Sequence, residues 1–499
     1  MTCRNYSFSL LLFASSAIGI LQSASAADSP RPNILLAIAD DWSWKHAGAY
    51  GCKFVRTPAF DAVAKRGVLF RNGFTASPGC SPSRAALLTG RYTWQLEHAG
   101  THASSFSQKL AVYPDLLEAA GYHVGLTGKG WGPGNFKAGG RTRNPAGPTY
   151  GSKTLQKPLS GITNTDYAGN FAEFLAARPK DKPFCFWYGG KEPHRAYEKG
   201  SGLVAGKKLD DVEVPAFLPD TPEVRSDLLD YAVEIEWFDK HLGLMLDMLE
   251  KSGQLENTLV VVCSDNGMAF PRAKANCYEY GQHMPMAISW PAKVKGGRAV
   301  TDFAGHVDIA PTFLAAAGLP VPADMTGRSL LPVLTSEKEG QVDPARDHIY
   351  FARERHSSSR PDNLGYPCRA IRTHDYLYIR NFAPDRWPAG DPTKGGDDVY
   401  FDIDGSPTKS LLIDRRKEEP FRRFYKLAVA KRPAEELFAL KDDPACIRNL
   451  AADAQHAAAK KQLRERLDAF LTKTGDARMT DNGEVWETYR RYSAIRTFE

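Results

Sequence analysis

The stretch from Asn33 to Ala39 (NILLAIA) is apolar after its first residue, shows no alternation, and stops at Asp40-Asp41. A strand with one wet face alternates apolar and polar residues. An unbroken apolar run bounded by polar residues therefore predicts a strand buried on both faces, as in a parallel sheet. Short runs of the same texture recur at 68–70, 124–126, 184–188, 259–263 and 286–290. Between them the period becomes helical. Thr57-Pro58 reads as an N-cap followed by proline at the first helical position, opening a helix that runs to Lys65 before Gly67. Further helices are predicted at 113–120, 166–177 and 223–252, and in the last Leu228, Ala232, Ile235, Leu242, Met245 and Leu249 fall along one face. Strands alternating with helices predict an α/β fold, a large, mixed but mostly parallel sheet sandwiched by helices. The glycine- and proline-rich stretch 128–151 reads as surface loop.

Beyond residue 345 the texture changes. Short strand-like pieces at 348–352, 368–373 and 376–380 crowd together, and a helix is expected over 454–472. This predicts a smaller α+β domain, an antiparallel sheet packed on a helix, over 346–499, after a larger domain over 27–345. Residues 1–26 form a third kind of segment. Arg4 precedes an apolar stretch from about 8 to 21, and Ala24-Ser25-Ala26 supplies small residues for cleavage. The expectation is a secretory signal peptide cut after Ala26, which makes the protein secreted or periplasmic. No later stretch approaches the roughly 18 uninterrupted apolar residues of a membrane span, so no stable membrane insertion is expected.

Composition narrows the field. With 499 residues, 24% charged and 42% hydrophobic, the chain has ordinary globular character and can bury a sizeable core. That excludes disordered, collagen-like and disulfide-miniprotein classes. The net charge of +6, from 64 basic and 58 acidic residues, lacks the density of a nucleic-acid binder. Eight cysteines show no C-x-x-C pair, which argues against zinc-ribbon and thioredoxin-type motifs. If Cys3 leaves with the signal, seven remain, so at least one is free, paired between chains, or chemically special.

In open α/β sheets, ligands sit beyond the carboxyl ends of the strands. Two acidic clusters fall at such ends, Asp40-Asp41 and Asp265-Asn266. Adjacent carboxylates repel each other unless a cation neutralises them, and an all-oxygen donor set favours a hard ion, calcium or magnesium, over zinc.

The segment Cys80-Ser-Pro-Ser-Arg84, continuing to Leu88-Thr-Gly-Arg91, resembles the signature of the formylglycine-dependent sulfatases, within the alkaline phosphatase superfamily. Other motifs of that family follow in order: Asp40-Asp41, Thr127-Gly128-Lys129, Glu192-Pro193-His194, Ser264-Asp265-Asn266-Gly267, and Lys274 four residues before Tyr278-Glu279. The resemblance covers about residues 31–330. It implies that a maturation enzyme, of the formylglycine-generating or sulfatase-maturating kind, oxidises Cys80 to formylglycine (3-oxoalanine). It also implies that Asp40, Asp41, Asp265, Asn266 and the modified Cys80 hold Ca2+, with Mg2+ as the alternative. A hydrated aldehyde would attack sulfur with one oxygen and expel sulfate with the other. Arg84 and the cation would lower the pKa of the diol, Asp265 would accept its proton, Lys129 and Lys274 would clamp sulfate oxygens, and His194 would protonate the leaving group. One departure stands out. The family commonly has a histidine two residues after the T-G-K lysine, and here the position is Trp131; His46, His98 and His102 are the candidate substitutes.

Within the family, Ser264-Asp-Asn-Gly-Met-Ala-Phe-Pro271 and Phe70-Arg-Asn-Gly-Phe74 resemble the heparan N-sulfatase (sulfamidase) branch most, which implies an N-sulfated or O-sulfated glucosamine-type sugar as substrate, the N-sulfated one first. The polar segment from Glu354 through His356 and Arg360 to Asp362-Asn363 is expected to fold over the pocket and bind sugar hydroxyls or a uronate carboxylate. Three alternatives stand beside this reading. They are an exo-O-sulfatase on an algal or host polysaccharide, a phosphoester or phosphonate hydrolase of the same superfold, and a non-catalytic binder of sulfated glycans. The sequence leaves oligomeric state and cysteine pairing open.

Overall fold

The computed structural model describes residues 1–3, 31–393 and 399–494. Most of the expected signal segment lies outside the described residues. Eleven strands carry the architecture. Seven form the main sheet: β1 (Asn33–Ala39), β2 (Val68–Phe74), β3 (His123–Gly128), β4 (Phe184–Gly189), β5 (Thr258–Ser264), β6 (Ala287–Ser289) and β7 (Arg298–Gly305), in the order β3-β4-β1-β5-β6-β2-β7. Every pairing is parallel except those of β6, which runs antiparallel to both of its neighbours. The short β6 turns a fully parallel sheet into a mixed one.

Alternate residues of β1 enter two different cores. Ile34, Leu36 and Ile38 pack with α2 (Cys80–Thr89), α3 (Tyr113–Ala119) and α6 (Ile309–Ala316). Leu35, Ala37 and Ala39 pack with α1 (Pro58–Arg66), α4 (Tyr167–Ala177) and α5 (Pro222–Lys251). Both faces being covered explains why the strand reads as a continuous apolar run. The long α5 presents the periodic face expected of it: Leu228, Ala232, Ile235, Leu242, Met245 and Leu249 are all fully buried.

Four antiparallel strands, β8 (His348–Arg353), β9 (Cys368–Thr373), β10 (Tyr376–Asn381) and β11 (Glu435–Ala439), form the second sheet, with α7 (Pro407–Asp414), α8 (Phe421–Val429) and α9 (Ala457–Lys473) around it. One face of this sheet, through Tyr350, Ile371, Tyr378 and Leu437, joins the core that contains α2 and α9. The other face, through Ile349, Phe351, Leu377 and Phe438, packs on Phe74 and Phe303 of the main sheet. Among the described residues no helix is long and apolar enough to cross a membrane.

Several expectations are corrected. Thr57 does not cap α1; its hydroxyl is engaged with Gly48 N and Asp61, and the Asp239 carboxylate, arriving from α5, accepts from Ala59 N and Phe60 N instead. A tertiary acceptor thus replaces the local one. Strand β7 was not anticipated, because its run (RAVTDFAG) is broken by charged residues, yet Asp302 is fully buried as the acceptor for Val342 N and Asp343 N. The final helix begins three residues late, after a 3-10 turn over Ala454–His456.

The second sheet is tied to the chain terminus by ions as well as apolar contacts. Arg369 of β9 is fully buried and pairs with Asp476 at 2.5 Å and Glu354 at 2.7 Å. Removing one member of such a cluster strands the other charges in low dielectric. Arg369→Ala is expected to lose about 3–5 kcal/mol of stability. Chemical denaturation checks this, and a loss within about 0.5 kcal/mol, the range of neutral surface substitutions, would contradict it.

Candidate active site

The parallel strands deliver their carboxyl ends to one edge, where those of β1, β3 and β4 supply side chains to a cavity of about 440 Å³ and that of β5 packs behind it. Asp40-Asp41 follow β1, Lys129 follows β3, Glu192 and His194 follow β4, and Asp265-Asn266 follow β5. The pairing of β1 with β5 places Ala39 opposite Ser264, so the two acidic clusters leave the sheet side by side. Gly189 is required at the end of β4, since a Cβ there would stand 1.9 Å from the Lys129 carbonyl oxygen.

Cys80 occupies the first position of α2, so the C-x-P-S-R segment is the helix opening itself rather than a loop before it. Its Sγ lies 3.4 Å from Asp40 Oδ1, and ligand atoms of Asp40, Asp41, Cys80 and Asp265 all fall within 4.8 Å of one another. All four residues are buried. Arg84, one helical turn after Cys80, donates from Nε to Asp265 Oδ2 at 2.7 Å and from a terminal nitrogen to the Lys129 carbonyl at 2.7 Å. Lys129 reaches Asp40 at 2.5 Å, and Lys274 reaches Asp41 at 2.7 Å and Asp404 at 3.3 Å. Behind the helix, His306 faces Ser83 Oγ at 2.9 Å and the Ser264 carbonyl at 2.9 Å, locking α2 to the end of β5.

The electrostatics follow from burial and pairing. Burial pushes the Asp40 carboxyl up, but Lys129, His194 and Arg84 outweigh it and hold the group well below the usual carboxylate range. Asp41 and Asp265 go the other way: burial and the neighbouring carboxylates raise them despite Lys274 and Arg84. The site thus holds more carboxylate than its cations neutralise comfortably, the condition that a bound cation relieves. The oxygen of the Asn266 side chain supports this, for Oδ1 is buried without a hydrogen-bond partner. Asp40, Asp41, Asp265 and Asn266, with the group at position 80, fit a divalent cation through hard oxygen donors. At Cys80, burial and Asp40 raise the thiol well above its ordinary pKa, so it stays protonated and weakly nucleophilic.

The N-terminal part of the chain does not close the cavity alone. His356, Ser357, Asp404, Arg491 and Ser493 line it from the C-terminal part of the chain. His356 lies against His102, the rings tilted by 33° with centroids 4.4 Å apart, and a Cβ on Gly79 would stand 2.9 Å from His356 Nδ1.

This arrangement belongs to a known family. The family model described as sulfatase matches residues 32–319, and one described as N-sulphoglucosamine sulphohydrolase, C-terminal, matches residues 272–400. The chain belongs to the sulfatase family. It is 30% identical to the N-sulphoglucosamine sulphohydrolase of Homo sapiens, an alignment covering 89% of this chain and 90% of the relative. It is 29% identical to an ulvan-active sulfatase of Formosa agariphila, over 91% of this chain and 82% of the relative. A structure solved in complex with its substrate D-glucosamine-2-N,6-O-disulfate superimposes with a TM-score of 0.66 at 21% identity, covering 92% of this chain and 100% of the other. The protein is a hydrolase of sulfate esters or sulfamates.

In this sulfatase the sequence-predicted residues divide sharply. Asp40, Cys80, Lys129, His194, Lys274 and His356 line the cavity, with Asp41, Arg84, Asp265 and Asn266 packed directly behind. Arg360, Asp362 and Asn363 do not line it. Arg360 is buried in an ion pair with Asp402, at 2.8 Å, which also takes Arg353 at 2.6 Å, and Asp362 is exposed on a 3-10 turn. The arginine therefore anchors the loop that presents His356. Trp131 also turns away, its indole donating to the Ser81 carbonyl and its ring packed on Phe106. Of the three histidines weighed in its place, His46 packs among Phe54 and Tyr231 and His98 stacks on Tyr489, while His102 lines the cavity beside Cys80. Sequence reasoning missed Asp404, Lys191, Arg195, Arg491 and the locking His306. The D-I-D spacing of Asp402 and Asp404 was the one available signal.

Glu234 of α5 sits behind the cavity wall, where a Cβ on Gly161 would stand 2.7 Å from Glu234 Oε1. Burial, aided by Glu192 and Asp230, pushes its carboxyl up to about 9. The folded state therefore keeps a proton that the unfolded chain releases above the ordinary pKa of 4.5, and stability falls as pH rises from there towards 9. Glu234→Gln should remove this slope, of up to about 1.4 kcal/mol per pH unit, and become progressively more stable than the parent between pH 5 and pH 9. Thermal melts across that range test it, and parallel curves would refute the protonated state.

Proposed function

We propose that this sulfatase removes the N-linked sulfate of an N-sulfated glucosamine-type saccharide, using a formylglycine made from Cys80 by a maturation enzyme and a Ca2+ ion held by Asp40, Asp41, Asp265 and Asn266. The observation that carries the reading is the position of Cys80. It is the first residue of α2, beside three carboxylates, with Lys129 and Lys274 on the same cavity wall. A thiol held protonated there has little use as a nucleophile, whereas a hydrated aldehyde supplies one oxygen to attack sulfur and another to release it. A cation held by these residues would supply positive charge to the sulfuryl group.

The chain's own residues do the rest. Arg84 holds Asp265 in place, and Asp265, raised by burial and Asp40, takes up the proton of the attacking hydroxyl. Lys129 and Lys274 stay charged because Asp40 and Asp404 offset their burial, and they turn from carboxylates to sulfate oxygens when substrate enters. His194 is part-exposed at the mouth, with Nδ1 on the Arg195 carbonyl, leaving Nε2 for the departing nitrogen. Burial and Lys274 pull its pKa down to about 4, so it takes up the proton it donates together with the anionic substrate.

The amino-sugar assignment draws support from the 272–400 match and from the Homo sapiens relative. The ulvan-active relative supports a second reading, an exo-O-sulfatase on a sulfated polysaccharide. A signal peptide ending at Ala26 and secretion or periplasmic residence complete the proposal.

Three measurements test it. Peptide mass analysis over residue 80 in protein from its native host should show the aldehyde and its hydrate; cysteine alone would overturn the mechanism. Sulfate release from matched N- and O-sulfated glucosamines should favour the N-sulfated sugar, and preference for an O-sulfate would support the second reading instead. Lys274→Ala should lower kcat by about 10²–10³, the scale of losing one preorganised stabilising group. A change within a factor of about three would remove Lys274 from the site.

A further inference from the structure

A second concavity, about 450 Å³, shares the 272–278 loop with the sulfate site but is lined by different residues of it, Arg272 and Tyr278. Its other wall is α8 and the segment that follows, carrying Arg422, Arg423, Lys426, Lys431 and Arg432. Six cations face two carboxylates, Glu419 and Glu436. Glu419 is engaged by Arg422 at 3.4 Å, and Glu436 accepts from Tyr278 Oη and Asn381 Nδ2. Like charges at positions 422, 423 and 426 of one nine-residue helix work against the helix itself, so folding alone does not account for them.

The charge is also built in. Arg272 and Arg432 lie over the Tyr278 ring at 4.0 Å and 4.7 Å. Arg272 is anchored on the carbonyls of Leu427 and Cys446, and its Nε is buried without a partner among the described residues. Arg432 donates to Asn276 Oδ1 at 2.8 Å, and Asn276 Nδ2 donates to the Lys274 carbonyl at 2.8 Å. The groove is therefore braced against the loop that holds Lys274. A concave wall in which six cations outnumber two carboxylates concentrates the field on an anionic ligand.

The geometry points to a secondary binding site for a sulfated stretch of polysaccharide, engaged while a terminal sugar of the same chain occupies the sulfate site. This rests on the sulfated-glycan reading above. The volume suits a short saccharide segment with discrete anionic groups. Single-stranded nucleic acid is a poorer match, because the Tyr278 ring has guanidinium groups against it and is not free for base stacking. A lipid surface is poorer still, since Phe421, Ala428 and Val429 of α8 are buried and unavailable for insertion.

The test uses the full chain. Binding of a size-defined N- and O-sulfated octasaccharide is measured by calorimetry in the non-turning-over Cys80→Ala background, with and without Arg423→Glu/Lys426→Glu, and with the milder Arg423→Gln/Lys426→Gln pair. The reversal should weaken binding about tenfold or more and flatten its salt dependence, with the neutral pair intermediate. With Cys80 intact, kcat/KM on a sulfated monosaccharide should stay within about twofold of the parent while that on the octasaccharide falls, which also reports that the variants fold. Octasaccharide binding and turnover unchanged in both pairs would overturn the proposal. So would a DNA oligonucleotide of equal charge that binds as tightly and is lost with the same substitutions. Failure of the substrate reading is separable: the parent would then release no sulfate from any of these sugars while octasaccharide binding still depended on Arg423 and Lys426.

Discussion

Asp40, Asp41 and Asp265 stand within coordination distance of one another at a buried edge of the sheet, where little water screens them. Two like charges 4 Å apart repel by about 4 kcal/mol even at an effective dielectric constant near 20, before desolvation is counted. The rest of the site answers that constraint. Arg84 comes from α2, Lys129 from the end of β3 and Lys274 from the loop after β5, and their closest pairings are with Asp265, Asp40 and Asp41 in turn. Three cations from three elements converge because the carboxylates draw them together. A site assembled this way already matches a divalent ion and a tetrahedral anion.

The same logic extends outward. Lys274 is shared between Asp41 and Asp404, so a residue of the C-terminal part completes the balance begun at β1. Asp402, two positions earlier, holds Arg353 and Arg360 and thereby the strand and loop that present His356. A separate group of positive charges lies outside the site, along α8 and around Tyr278. Basic side chains thus line both the cavity, through Lys129 and Lys274, and the neighbouring groove that shares its loop.

Much of this was legible before any coordinates. The uninterrupted apolar run of β1 announced a doubly covered strand, and the acidic pairs after two such runs announced ligands at strand ends. The ordered set from Cys80 to Lys274 pointed to the family, because those side chains act locally on one cavity and their spacing is held by the strands between them. Where the reading missed, a partner distant in sequence had taken over a local role. Thr57 lost its capping role to Asp239, 182 positions away. Strand β7 hid its burial behind Asp302, whose charge is absorbed by two backbone amides. Arg360 read as a ligand for sugar because an arginine in a polar loop looks exposed, while Asp402 draws it inside.

By itself, then, the sequence determined the α/β alternation, the signature cysteine and most of the charged side chains that the structure gathers at one cavity. Those features depend on periodicity and on short motifs whose neighbours in sequence are their neighbours in space. The tertiary structure alone decided that Ala39 pairs with Ser264, that Trp131 turns away while His102 turns in, and that Asp404 and Arg491 wall the cavity. Each of these is a contact between residues far apart in the chain, set by strand register and by how buried charges find partners. Apart from the D-I-D spacing at Asp402 and Asp404, no local pattern marks them.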